Sequence, residues 1–141
     1  MTRMAFLFEV LGFGLVAALV AWVVYSLRGQ AAVEMPSWLS VYAGVAAAAV
    51  WSALVRREGR VRLSVAALAG VLSVVAAHVL GTVVITLAGA IDRGPEFVGL
   101  GTGLLLFALL ALVLTAHQTL PPAIAAALAF ALASRLWRRR L

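Results

Sequence analysis

The sequence predicts an all-α integral membrane protein, and three observations carry that reading. Apolar residues make up 65% of the chain and charged residues 11%, against roughly 45–50% and ~25% in an ordinary soluble domain. The apolar residues gather into runs long enough to cross a bilayer. The charges fall between those runs and at the C-terminal end. With 141 residues there is too little interior to hide this much apolar surface from water, and a mean hydropathy of +1.13 agrees. Residues 1–141 are read as a single transmembrane helical domain. There is no cysteine, which excludes a disulfide framework and a thiolate metal site.

The elements follow in order. The first run covers residues 4–27 and is broken only by Glu9. A secretory signal has an apolar core of about 7–15 residues, so this longer run is read as a retained span. A polar gap with Arg28, Glu34 and Pro36 precedes the second run, residues 38–55. Ser37 is positioned to cap it. Trp38 and Tyr42 stand at one end and Trp51 at the other, as interfacial aromatics do. The run Arg56-Arg57-Glu58-Gly59-Arg60-Val61-Arg62 separates it from the third and longest span, residues 63–91. Asp92-Arg93-Gly94-Pro95-Glu96 is a turn with Gly-Pro punctuation, and the fourth span covers residues 97–117. Two mid-helix prolines are costly, whereas Thr119 suits an N-cap and proline suits a first turn. The pair Pro121-Pro122 therefore predicts a break and a fifth, short apolar helix over residues 120–137. The expected fold is a bundle of four transmembrane helices plus that fifth helix.

Charge placement gives two answers about topology. With four spans, one side carries Arg3, Arg56, Arg57, Arg60, Arg62, Arg135, Arg138, Arg139 and Arg140, and the other Arg28 and Arg93, nine against two. That is a strong positive-inside bias. If the fifth helix also crosses, the split becomes five against six and the bias vanishes, which permits both orientations. Arg56, Arg57, Arg60, Arg62, Arg135, Arg138, Arg139 and Arg140 are read as contacts to anionic headgroups, each contributing ~1 kcal/mol near such a surface. A net charge of +6 distributed in this way is a topology signal and not a nucleic-acid face.

In lipid, helices associate largely through small residues that let backbones approach. Ala66, Gly70, Ser73, Ala77, Gly81 and Ala88 form such a seam along the third span. Ser64, His78, Thr82 and Thr86 lie on a neighbouring face, while Val65, Leu72, Ala76, Val79, Val83 and Leu87 point to lipid. Shorter seams are Gly14, Ala18 and Ala21 in the first span, and Gly44, Ala47 and Ala48 in the second. The third span is therefore expected to be central. Gly99-Leu100-Gly101-Thr102-Gly103 follows no strand and holds no lysine, so it is read as a close-packing segment and not a phosphate loop.

Candidate polar chemistry is sparse. His78 sits mid-span, where an ionisable group is a functional candidate by default; a neutral ring bonded within the bundle is the simpler reading. Glu9, two turns into the first span, and His117 are expected at the same membrane face. Together with His78, Thr82 and Thr86 they make up the candidate intramembrane polar site. Antiparallel helices place His78 and His117 about 14 Å apart in depth, which argues against a haem held by both in one chain. No HExxH, no GxSxG and no Ser–Lys pair is present. The expectation is a non-catalytic protein of the bacterial cytoplasmic membrane with no bound cofactor, partnered by the anionic bilayer and acting as a homo-oligomer or as an accessory subunit of a larger membrane complex. The competing expectation is a small proton-coupled transporter or channel with His78 and Glu9 in its path.

Overall fold

The structure is a computed structural model that describes residues 3–27, 36–55, 62–94 and 101–138. Among these only Arg62 and Gly94 are not helical. Four helices result: α1 (Arg3–Leu27), α2 (Pro36–Val55), α3 (Leu63–Arg93) and α4 (Gly101–Arg138). Arg28, Glu34, Arg56, Arg57, Arg60, Pro95, Glu96, Gly99, Leu100, Arg139 and Arg140 lie outside the described residues. Three helices carry stretches long and apolar enough to cross a membrane: Met4–Val24, Leu63–Arg93 and Leu112–Trp137. In α2 the apolar stretch Ser40–Leu54 is shorter. Large apolar side chains stand exposed on all four helices, Leu15, Val45, Leu72 and Val113 among them. That all-round apolarity is what a lipid-facing rod requires.

At the start of α3, Arg62 takes an extended backbone and makes no side-chain cap. Pro36 opens α2, so Ser37 lies inside the first turn and not ahead of it. Proline suits that place because its missing N–H is one that a helix start leaves unused. At the other end of α3, Gly94 takes a φ of 86° and its N–H returns to the Ala90 carbonyl at 3.0 Å. Only glycine adopts that backbone cheaply.

The largest departure from expectation is α4. Residues 97–117 and 120–137 were expected as two helices, and the structure has one helix of 38 residues running through Pro121 and Pro122. Each proline deletes one backbone bond. The carbonyls that lose their donors belong to His117 and Gln118, four residues earlier. Such gaps are tolerated in apolar helices where side chains and neighbouring helices take up the freed groups. Here Thr119 adds its own bond, Oγ1 to the Thr115 carbonyl at 3.0 Å. A close neighbour also braces the far side of the break, because Gly70 packs directly on the Ala123 and Ile124 backbone.

Close contacts fix the register. A Cβ on Gly14 would lie 2.9 Å from the Gly44 carbonyl oxygen and 3.1 Å from Ala48, and one on Gly44 would lie 3.1 Å from Ala18. The seams Gly14/Ala18 and Gly44/Ala48 therefore interlock as expected from their spacing, with α1 and α2 antiparallel. Tyr42 stands against Gly81, while Trp51 shares a core with Ala66 and Ala69, so α2 and α3 are antiparallel. Gly70 against Ala123 and Gly12 against Phe130 place α4 antiparallel to both α3 and α1. The starts of α1 and α3 and the ends of α2 and α4 thus share one end of the bundle, the basal end. With α4 unbroken, no fifth helix is free to choose its side. Reporters fused before α1 and after α4 are expected to report the same side in every molecule; a mixed or opposite result would break the register.

The seam of α3 is buried at Ala66, Gly70, Ser73 and Gly81 and half-buried at Ala77, but Ala88 is exposed. Leu72, Val79, Val83 and Leu87 are exposed as expected, and Val65 and Ala76 half-buried. The seam stops because its neighbours stop. Val24 of α1, Ile85 of α3 and Ala108 of α4 border the same cavity, and α1 ends at Leu27. Past that level α3 runs on to Arg93 and α4 begins at Gly101. Each overhangs α1 by about 6–8 Å at ~1.5 Å per residue.

Trp51 also departs from expectation. It is not an interfacial aromatic but the centre of the basal core, 0% exposed and grouped with Phe13, Ala47, Ala66, Ala69, Ala127 and Ala131. Its ring lies 4.3 Å from Phe13 and edge-on to Phe130 at 5.4 Å, centroid to centroid. The alanines explain this. Alanines on three helices, α2, α3 and α4, leave a space that only large side chains fill, and a packed interior tolerates no void.

Candidate functional site

Above the aromatic core the bundle does not close. A cavity of about 430 Å³, open on one side, runs between α1, α3 and α4 with Ala43 of α2 at its edge. Its floor is Phe13. Its walls are Ala17, Val20, Ala21 and Val24 from α1, the Gly70–Ile85 face of α3, and Thr119, Pro122, Ala123 and Ala126 of α4. Small residues on α3 and α4 make the hollow, because they bring backbones close at Gly70 and leave no side chain to fill the space above.

Among the described residues, four side chains bring polar atoms to this lining: Ser73, His78, Thr82 and Thr119. Each spends a hydrogen on its own helix. Ser73 Oγ donates to the Ala69 carbonyl at 2.6 Å, Thr82 Oγ1 to that of His78 at 2.9 Å, and Thr119 Oγ1 to that of Thr115 at 3.0 Å. His78 Nδ1 lies 2.8 Å from the Val74 carbonyl oxygen. A carbonyl oxygen can only accept, so Nδ1 carries the hydrogen. In the neutral ring Nε2 then holds a lone pair. Among the described residues that border the cavity there is no carboxylate.

The structure brings His78 and Thr82 together and separates the rest of the candidate set. Thr86 continues the ladder by donating to the Thr82 carbonyl at 2.8 Å, yet does not border the cavity. Glu9 is half-buried at the basal end and engaged within the chain. Arg62 and Arg135 lie at that same end and are likewise engaged. Arg138 closes α4 there. His117 is not at the face of Glu9. The pairing of Gly70 with Ala123 sets His78 level with about Thr115, so His117 lies only about 3 Å from His78 in depth. The expected 14 Å separation assumed that α4 stopped at residue 117. What divides the two rings is direction, since His117 is exposed and His78 borders the cavity.

Two features escaped the sequence reading. The cavity is one, because it arises from the divergence of α1 and α4 above their basal contact. The other is the role of Pro122, which borders the cavity and removes the donor from the Gln118 carbonyl one turn away on the same side of α4. Among the described residues, no group of three or more His, Cys, Asp and Glu side chains is placed to hold a metal. Comparison with known proteins finds no matching family model, no matching curated protein and no matching solved structure.

Proposed function

We propose that this chain is a non-catalytic membrane protein that works in assembly with other membrane-embedded protein, as a homo-oligomer or as an accessory subunit. In this reading α2 is the fourth span, both basal termini lie on the cytoplasmic side of a bacterial inner membrane, and Arg62, Arg135 and Arg138 meet anionic headgroups there. The arginine asymmetry supports that orientation.

The observation that carries the reading is the length of α4. Its 38 residues extend about 57 Å, nearly twice the ~30 Å hydrocarbon core. Fitting it inside by tilt alone needs about 60°, beyond the ~40° at which spanning helices stop. The overhanging ends of α3 and α4 are apolar, with Leu87 58%, Ile91 84% and Leu106 69% exposed. An apolar surface that lipid does not reach needs protein to cover it. The competing transporter reading has less support. The cavity's hydroxyls are committed to backbone carbonyls, and Glu9 lies at the basal end, below the His78 level.

The natural absence of cysteine makes the test clean. Single cysteines at Leu87, Ile91 and Leu106 in native membranes, treated with a short bis-maleimide, are expected to cross-link to a second protein chain. A cysteine at the lipid-facing Leu15 is expected to stay uncoupled. A product of twice the chain's mass identifies a homo-oligomer, and a different mass an accessory subunit. If none of the three positions couples, or Leu15 couples equally, the assembly reading fails.

A further inference from the structure

The cavity between α1, α3 and α4 has a chemical character that is independent of how the overhanging ends are covered. Among the described residues, its side-chain polar atoms accept hydrogen bonds and offer none. Ser73, Thr82 and Thr119 have each given their one hydroxyl hydrogen to a carbonyl of their own helix. Nδ1 of His78 has given its hydrogen to Val74, and among the described residues nothing supplies a donor to Nε2. An acceptor facing an apolar cavity without a partner is unfavourable, and the cost disappears when a guest brings the hydrogen.

We propose that this cavity is a binding site for an apolar molecule bearing a hydroxyl group, such as an alkylphenol or a hydroquinone with an apolar tail. The hydroxyl hydrogen bonds to Nε2 of His78, and the tail lies between α1 and α4 towards the open side. The arrangement of His78 suits this role: a ring whose Nδ1–H is fixed to a backbone carbonyl has both its tautomer and its orientation set in advance. The volume of about 430 Å³ is that of a small-molecule site, within the range of roughly 300–1,000 Å³ that such sites occupy. Selectivity follows from the missing donors. A quinone or an ether of the same size carries acceptors only and would leave its oxygens and Nε2 all unpaired. The site therefore distinguishes a reduced, hydroxyl-bearing head from its oxidised or alkylated form.

The test uses the purified full-length protein in nanodiscs and isothermal titration with a para-alkylphenol and its methyl ether. The phenol is expected to bind roughly tenfold tighter than the ether, as the loss of one buried hydrogen bond implies. Nitrogen-15 spectra are expected to show the His78 Nε2 signal moving on phenol addition while His117 stays put. His78→Phe, which keeps the ring's bulk, should bring the two affinities within about twofold. Ile85→Trp, which fills the cavity and leaves His78 in place, should weaken both ligands. Equal affinities for the wild-type protein, no binding of either compound, or an unmoved Nε2 signal would overturn the proposal. All three readouts need only the wild-type chain, so a misfolded variant cannot shield it.

Discussion

Gly70→Ala is expected to loosen the whole bundle. The new Cβ would lie 2.9 Å from the Ala123 carbonyl oxygen and 2.9 Å from the Ile124 Cα. Both are backbone atoms of α4 and no rotamer can move them, so the helices themselves must separate. That separation undoes the dispersion contacts of Ala66 and Ala69 against Ala127 and Ala131, which lie in the same basal core. Overpacking of this kind costs about 1–3 kcal/mol. Gly81→Ala is the internal control. Its Cβ would meet only the Tyr42 ring, at 3.6 Å, an ordinary contact, and alanine favours the helix by up to ~1 kcal/mol. Unfolding of the two variants in mixed detergent micelles should therefore move in opposite directions. Equal stability of Gly70→Ala and the wild type would mean that α3 and α4 do not approach as closely as the structure has them.

Trp51→Ala is expected to cost more, about 3–5 kcal/mol, as removal of a fully buried aromatic generally does. The ring occupies the centre of the basal core and its loss leaves Phe13 and Phe130 facing a void. Trp51→Phe separates shape from polarity. The indole N–H of Trp51 is buried and has no hydrogen-bond partner, and its ring is edge-on to Phe130 at 84°. Phenylalanine removes that unpaired donor, a relief of roughly 1–3 kcal/mol that offsets part of the lost volume. The phenylalanine variant is thus expected to lie much closer to the wild type than the alanine variant in thermal unfolding followed by circular dichroism. Equal losses for the two substitutions would show that the N–H has found a partner.

The helical membrane class was legible because it rests on composition and run length, which any packing arrangement must respect. The interlock of Gly14 and Ala18 with Gly44 and Ala48 was legible for a similar reason: small residues four apart share a face whatever the neighbour. Trp51 was not. Its position near the end of an apolar run resembles that of an interfacial aromatic, and only the alanines contributed by α2, α3 and α4 decide that it turns inward. Pro121 and Pro122 were misjudged because their cost was taken from helices in water. In α4 the brace of Gly70 on the following turn keeps the axis continuous. That one error displaced His117 in depth and hid the closeness of its level to that of His78. His78 itself was recognised as a candidate, but its Nδ1–Val74 bond and the open cavity beside it depend on how α1 and α4 diverge, and no spacing within a single helix encodes that.

The two missing rungs in α4 have a mechanical consequence. Below them, the segment from Ala123 to Ser134 is clamped by α1 and α3. Above them, the helix borders the open side of the cavity. A helix with two adjacent rungs removed bends more readily there than anywhere else along its length. The prolines therefore act as a flexure between a fixed root and a cantilevered arm, and a few degrees of bending at residues 121–122 translate into ångströms at Ala108. The width of the cavity mouth accordingly depends on the stiffness of one short stretch of backbone.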